Sequence, residues 1–350
     1  MRGCLLSLTL AVLGGTSAPA AFAQGPVRGG PLPQLFPSTN WWNTDISAAP
    51  VDSGSAGYIA FIGGDPLHPD FGGDAEPPPA TAIYGMVYIT TPGSQPLEQV
   101  AFVEYPGESD PGAPGRPSGY PIPIEARTQA KWIEGGAPGG GLSGDRHMLI
   151  VDRDNLLLFE LYHTHWNPGL SRWEAGSGAA WSLLTNARRP EGWTSADAAG
   201  LAILPGLVRY DEAYGPDPIR HAFRFTVHAT DGHVFPASHT AGSTTGAPPM
   251  GTRLRLKPEV DISGFPEPVR KIFQAMKTYG LILADNGSDM YIQGTYDTRW
   301  DNDILNPAFA SLSATDFEVI QLGWQPPDTD LIFRDGFDGT RLAEPPSTNG

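Results

Sequence analysis

The chain carries a single cysteine, Cys4, in its first few residues, so no thiol pair is available for a disulfide framework. Lysine is almost as scarce, with only Lys131, Lys257, Lys271 and Lys277. With 22 basic against 38 acidic residues the net charge is -16. That balance argues against nucleic acid, which needs a basic surface to hold phosphates, and against adhesion to anionic membranes. It favours solubility outside the cell. Long apolar runs are missing too: Leu5 to Leu13 is too short to span a bilayer. The sequence has no phosphate loop, dinucleotide fingerprint or H-E-x-x-H helix. It also lacks the G-x-S-x-G elbow of serine hydrolases, and no internal repeat is visible.

What is present at the start is a leader. Arg2 supplies the charge, Leu5 to Leu13 the apolar stretch, and Ala21-Phe22-Ala23 an A-x-A cleavage site. Residues 1–23 are therefore expected to be a signal peptide, and Cys4 leaves with it. The expected organisation continues with a Gly/Pro linker over 24–35, a single β-rich domain over 36–322 and a polar tail over 323–350. The length is ample for one large core or two small ones. Glycine (43) and proline (36) punctuate the chain densely, as in folds of many short strands joined by turns. The predicted fold is mostly β, a sandwich or jelly-roll-like pair of antiparallel sheets with one packed helix near its C-terminal part.

The spacing of Val269, Ile272, Phe273 and Met276 marks one face of that helix, with Pro266 and Pro268 in its first turn and Gly280 at its end. A shorter helix is expected over 55–62. Strands are expected over 82–90, 99–105, 252–256, 281–285 and 290–294. Arg146 to Asp152 and Leu156 to His165 form a hairpin, and a second hairpin is expected around Asp231-Gly232, joining 221–228 to 233–236.

Seven of the eight histidines fall between His147 and His239. Histidine is the side chain best suited to proton transfer near neutral pH and is the commonest metal ligand. The register of the first hairpin decides between those uses. A two-residue turn at Asp154-Asn155 sets His147 opposite Tyr162 and diagonal to Glu160, an acid/base pair. A three-residue loop instead puts His147 on one face with His163 and His165, a metal site. His221 alternates with Phe223, Phe225 and Val227, while Arg224 faces the other way and suits a carboxylate or sugar hydroxyl. His239 sits in a small-residue loop after a strand. Asp285-Asn286-Gly287 and Arg299-Trp300-Asp301-Asn302-Asp303 supply carboxylates. Such groups serve glycoside hydrolysis or Ca²⁺, and equally serve turns and helix caps.

Asp145-Arg146-His147, Gly192-Trp193-Thr194-Ser195-Ala196-Asp197, Ala284-Asp285-Asn286-Gly287 and Arg299-Trp300-Asp301-Asn302-Asp303 resemble signature segments of a family of exported bacterial β-rich proteins. The resemblance would span most of 36–320. Asp330-Leu331-Ile332-Phe333-Arg334-Asp335-Gly336-Phe337 resembles a short terminal motif of assorted exported bacterial proteins. Both resemblances imply export, and neither implies an activity.

The reading that follows is an extracellular enzyme cleaving polysaccharide, as hydrolase or lyase. His147, Glu160, His239, Asp285 and Asp301 are its candidate acid/base groups. His221, Arg224, Asn286 and Trp300 would hold the glycan. No cofactor is required. A metal-dependent hydrolase is the first alternative, with Zn²⁺ on His163, His165 and a third ligand such as His147; Ca²⁺ would suit the acidic knots. A non-catalytic secreted protein that binds oligosaccharide through its tryptophans is the second. A monomer without nucleic-acid or membrane partners is expected.

Overall fold

The computed structural model describes residues 25–327. The expected signal peptide, Cys4 and the terminal motif at 330–337 lie outside them. Within them the fold is β-rich and sandwich-like, and no barrel closes. One sheet has five strands in the order Val27–Arg28, Tyr88–Thr91, Met148–Asp152, Leu157–Tyr162, Ser177–Ser182. A second has six, in the order Phe317–Val319, Arg253–Leu256, Leu281–Asn286, Phe223–Val227, Tyr291–Gln293, His68–Asp70. A three-stranded sheet consists of Val100–Phe102, Arg172–Ala175 and His165–Asn167.

The pleat explains how the five-stranded sheet is covered on both faces, because successive side chains point to opposite sides. Leu149, Val151 and Leu158 join Phe223, Phe225 and Leu283 of the six-stranded sheet in one large core. Their alternates Met148, Ile150, Phe159 and Leu161 pack with Tyr120, Trp132, Ile133 and Trp173 in a second core. The helix Glu267–Thr278 buries Val269, Ile272, Phe273 and Met276, the face set by their spacing. Gly280 follows it at φ +76°, a left-handed position that glycine occupies without a Cβ clash.

The first hairpin takes the register of the two-residue turn. Met148 pairs with Leu161, Leu149 with Glu160 and Asp152 with Leu157, which carries His147 opposite Tyr162. Asp152 builds the turn by accepting from Asp154 N (3.2 Å) and Asn155 N (2.9 Å) through Oδ1, while its Oδ2 takes Asn155 Nδ2 at 2.7 Å.

Several expectations are corrected. The sheets are mixed, and Phe223–Val227 runs parallel to Leu281–Asn286. All five residues of Phe223–Val227 are buried, as befits a strand at the centre of a sheet covered on both faces. It therefore pairs with strands on both sides, and no hairpin forms around Asp231-Gly232. The stretch 156–165 does not run as one strand. His163 has φ +52°, the chain breaks there, and His165–Asn167 joins the three-stranded sheet instead. In the expected linker, Val27 and Arg28 pair with Thr90 and Ile89.

Candidate functional site

Between the two larger sheets runs the segment 195–204, and ionisable side chains from both sheets hold it. Buried backbone polar groups need partners, and here the partners are ionisable side chains. From the five-stranded sheet, Glu160 is fully buried and accepts Ile203 N and Leu204 N at 2.8 Å each. His147 Nε2 donates to Ala196 O at 3.0 Å. From the six-stranded sheet, Arg224 grips the fully buried Asp197 carboxylate in two places, Nε to Oδ2 at 3.1 Å and Nη2 to Oδ1 at 2.7 Å.

His147 also meets Glu134. Its Nδ1 lies 2.7 Å from Glu134 Oε2, and its backbone N–H donates to the same oxygen at 3.0 Å. Both ring nitrogens thus face acceptors only, a carbonyl and a carboxylate. Both must carry a proton, so the ring is an imidazolium. Burial alone would lower its pKa, but Glu134 overrides burial and pushes it up to about 9. In turn His147 overcomes the burial of Glu134 and holds that carboxyl below its usual range. Glu134 stands ahead of a Gly135-Gly136 turn with φ of +79° and +85°. A Cβ on Gly136 would lie 1.9 Å from Thr81 O, so the turn that presents Glu134 requires glycine there.

Asp285 joins the network through an irregularity in its strand. Arg224 pairs with Ile282, Phe225 with Leu283, and Thr226 with Asp285, the register shifting between Phe225 and Thr226. In a regular strand Asp285 would point away from the Arg224 face. The bulge restores it to that face and brings Oδ2 to 3.9 Å from Arg224 Nη2. Burial and the nearby Asp197 carboxylate raise Asp285 to about 6, against the pull of Arg224. Glu160 rises further, to about 8, chiefly through burial, although its two N–H donors oppose the rise.

The network reaches the surface at two points. The Asp285 side chain is 32 % exposed and that of Glu134 is 24 % exposed. Glu134 opens into a pocket of about 270 Å³ that Asp70, Tyr84, Asp145, Arg146 and Gln293 also line. Among the described residues Arg146 has no ion pair, and its Nε is buried without a hydrogen-bond partner. Gln293 Oε1 is likewise buried without a donor. Tyr162 lies beside His147, ring centroids 5.6 Å apart, and stacks on His163 at 4.0 Å. Burial, then Asp145, raises its hydroxyl to about 12.

Of the sequence-predicted residues, His147, Glu160, Arg224 and Asp285 therefore come together. His239 lies next to the network, its Nδ1 2.8 Å from Ala198 O. Asn286 adjoins Asp285 and donates to Ala241 O at 3.1 Å. The others lie elsewhere. Asp301 caps the helix Asn302–Phe309 by accepting from Asp303 N at 3.0 Å. Trp300 is buried against Phe71 and Tyr210, with Nε1 donating to Thr295 O at 2.9 Å, so its ring face is not open to a sugar. His221 is buried and bonds Glu212 at 3.0 Å. His163 and His165 do not share a strand face. They pair with different carboxylates, Glu104 at 2.6 Å and Glu174 at 3.3 Å. Among the described residues, no group of three or more His, Cys, Asp or Glu is arranged to hold a metal ion. Glu134 and Asp197 are not among the sequence-predicted site residues. The Gly-Gly pair after Glu134 is the available signal for one, and the segment Gly192-Trp193-Thr194-Ser195-Ala196-Asp197 for the other.

No family model, curated protein or solved structure matches the chain. Its class is defined by fold and site alone: a β-rich sandwich-like protein with an ionised network between its sheets that surfaces at two carboxyl groups.

Proposed function

We propose that the protein is an exported enzyme that cleaves polysaccharide by general acid–base catalysis, with glycoside hydrolysis as its reaction. One observation carries this reading. Two partly exposed carboxyls on a single network are pushed in opposite directions, Glu134 down and Asp285 up to about 6. Environments that drive two titratable groups apart mark out a base and an acid, and glycoside hydrolysis needs one of each. In this reading Glu134 acts as the ionised base or nucleophile, and Asp285 donates the proton. His147 is a positioning residue that fixes Glu134 and keeps it ionised. Arg224 and Asp197 hold the frame; Arg224 is fully engaged and does not reach for substrate. Export is supported by the leader pattern at 1–23. Among the described residues, no helix is long and apolar enough to cross a membrane.

Elimination from a uronate is the second reading. It is favoured by Arg146, whose guanidinium is unpaired in the same pocket as Glu134 and Gln293. There Arg146 would neutralise the uronate carboxylate and Glu134 would take the proton beside it, as the glycosidic C–O bond one carbon further breaks and its oxygen leaves with a proton from solvent.

The test is a polysaccharide panel incubated with the purified mature chain, following both reducing ends and the absorbance of unsaturated uronates. Hydrolysis releases reducing ends without that absorbance; elimination produces both. Asp285→Asn should lose roughly 10²–10⁴-fold in rate with unchanged melting, and Glu134→Gln should lose as much while also melting lower, because it takes the carboxylate away from His147. Full activity in both variants, or no product from any polymer, would sink the proposal.

A further inference from the structure

A second cavity shares no lining residue with the Glu134 pocket. It is a cleft of about 830 Å³ between the arm 29–38 and the body of the fold. That volume is in the range of small-ligand sites. We infer that this cleft is a second binding site, for a neutral oligosaccharide.

Its walls supply the argument. Tyr88, Tyr279 and Tyr296 line it from three separate parts of the chain, each half-buried. Their rings are fixed in place. Tyr88 Oη donates to Gly30 O at 3.0 Å and Tyr296 Oη to Asp74 Oδ1 at 2.7 Å. Tyr210 also lines the cleft, but Tyr214 stacks on it at 4.3 Å and the Arg299 guanidinium lies over its ring at 4.1 Å, so it braces the wall rather than offering a free face. Immobilised rings bind the apolar faces of sugars without paying to order themselves.

The charges in the cleft are already spent on one another. Arg299 takes Asp211 at 2.8 Å and Asp297 at 2.6 Å. Glu212 is held by Arg209 at 2.7 Å and His221 at 3.0 Å. Among the described residues, Asp217 and Arg220 are the charged lining groups without an ion pair; both are exposed and opposite in sign. Three guanidiniums, Arg209, Arg220 and Arg299, stand against four carboxylates, Asp211, Glu212, Asp217 and Asp297, so a polyanion would find no surplus positive charge here. A neutral sugar needs no counter-charge and would stack on the tyrosine rings.

Binding is measured by calorimetry on the full mature chain carrying Asp285→Asn, so that cleavage cannot consume the ligand. The probes are xylohexaose, cellohexaose, maltohexaose and chitohexaose, with oligogalacturonate as the anionic control. At least one neutral hexaose should bind and oligogalacturonate should not. Tyr296→Ala, and separately Ser38→Trp, which adds bulk at an exposed lining position, should each weaken that binding about tenfold with unchanged melting. No neutral binding, tighter binding of the anionic oligomer, or wild-type affinity in both variants overturns the inference. Its failure is distinct from that of the proposed activity. Binding without cleavage leaves the cleft standing and removes the enzyme, whereas cleavage with an unchanged KM in both variants does the reverse.

Discussion

Raising the pH should unload a measurable part of the fold's stability through one side chain, His147. The folded imidazole titrates at about 9, against 6.5 in the unfolded chain. The native state therefore holds this proton more tightly. The resulting stability is fully present below 6.5 and is lost as pH rises through 9. A shift of this size corresponds to about 3 kcal/mol, at roughly 1.4 kcal/mol per unit. The side chain is only 4 % exposed, so solvent screening removes little of it. Denaturant unfolding of wild type and His147→Gln across that window isolates the contribution. Glutamine can still donate to Glu134 but carries no titrating proton. The two ionisations of Asp285 and Glu160 also lower stability with rising pH, in windows ending near 6 and 8, but they remain in both proteins. The difference between the two curves should thus shrink by about 3 kcal/mol from pH 6.5 to 9. A flat difference, or a His147 ring that titrates near 6.5 by NMR, would refute the imidazolium assignment.

Other substitutions probe the network and its setting. Arg224→Met leaves Asp197 charged and buried without its partner, and thermal melts should show a loss of about 3–5 kcal/mol. Glu160→Gln can accept only one of the two N–H groups it now holds, so urea unfolding should register a cost of about 1–3 kcal/mol. Gly136→Ala forces a Cβ against Thr81 O at a left-handed position, and any glycan-cleaving rate should fall along with the melting temperature. If Asp285 is the proton donor, cleavage rate should decline as pH climbs through about 6, and Asp285→Asn should remove that limb.

The parts of this fold that sequence reading captured were those with a local period. The helix face at Val269, Ile272, Phe273 and Met276 repeats within one element, and the first hairpin is pinned by Asp152 bonding its own turn. Phe223–Val227 defeated the same approach. A turn signal at Asp231-Gly232 suggested a hairpin partner, but a strand buried on both faces takes its neighbours from distant sequence, here Leu281–Asn286 and Tyr291–Gln293. The site shows the same division. His147, Glu160, Arg224 and Asp285 were visible as residue types on strand faces. Glu134 reaches His147 from an irregular loop, and Asp285 reaches Arg224 only through a bulge that no alternation pattern encodes. Asp301 and Trp300 looked chemical because acid and aromatic side chains adjoin, yet a helix cap and a core position use the same pair.

The segment threaded between the sheets has a consequence for how the chain must fold. His147 bonds Ala196, Glu160 bonds Ile203 and Leu204, and Arg224 bonds Asp197, all across tens of residues of sequence. Neither layer can close over the other until this stretch is in place, because closing early would trap Glu160 and Arg224 in an apolar space without counterparts. Insertion of 195–204 should therefore precede or accompany closure of the layers. Mutations that weaken its grip, at either sheet, should slow refolding more than they accelerate unfolding.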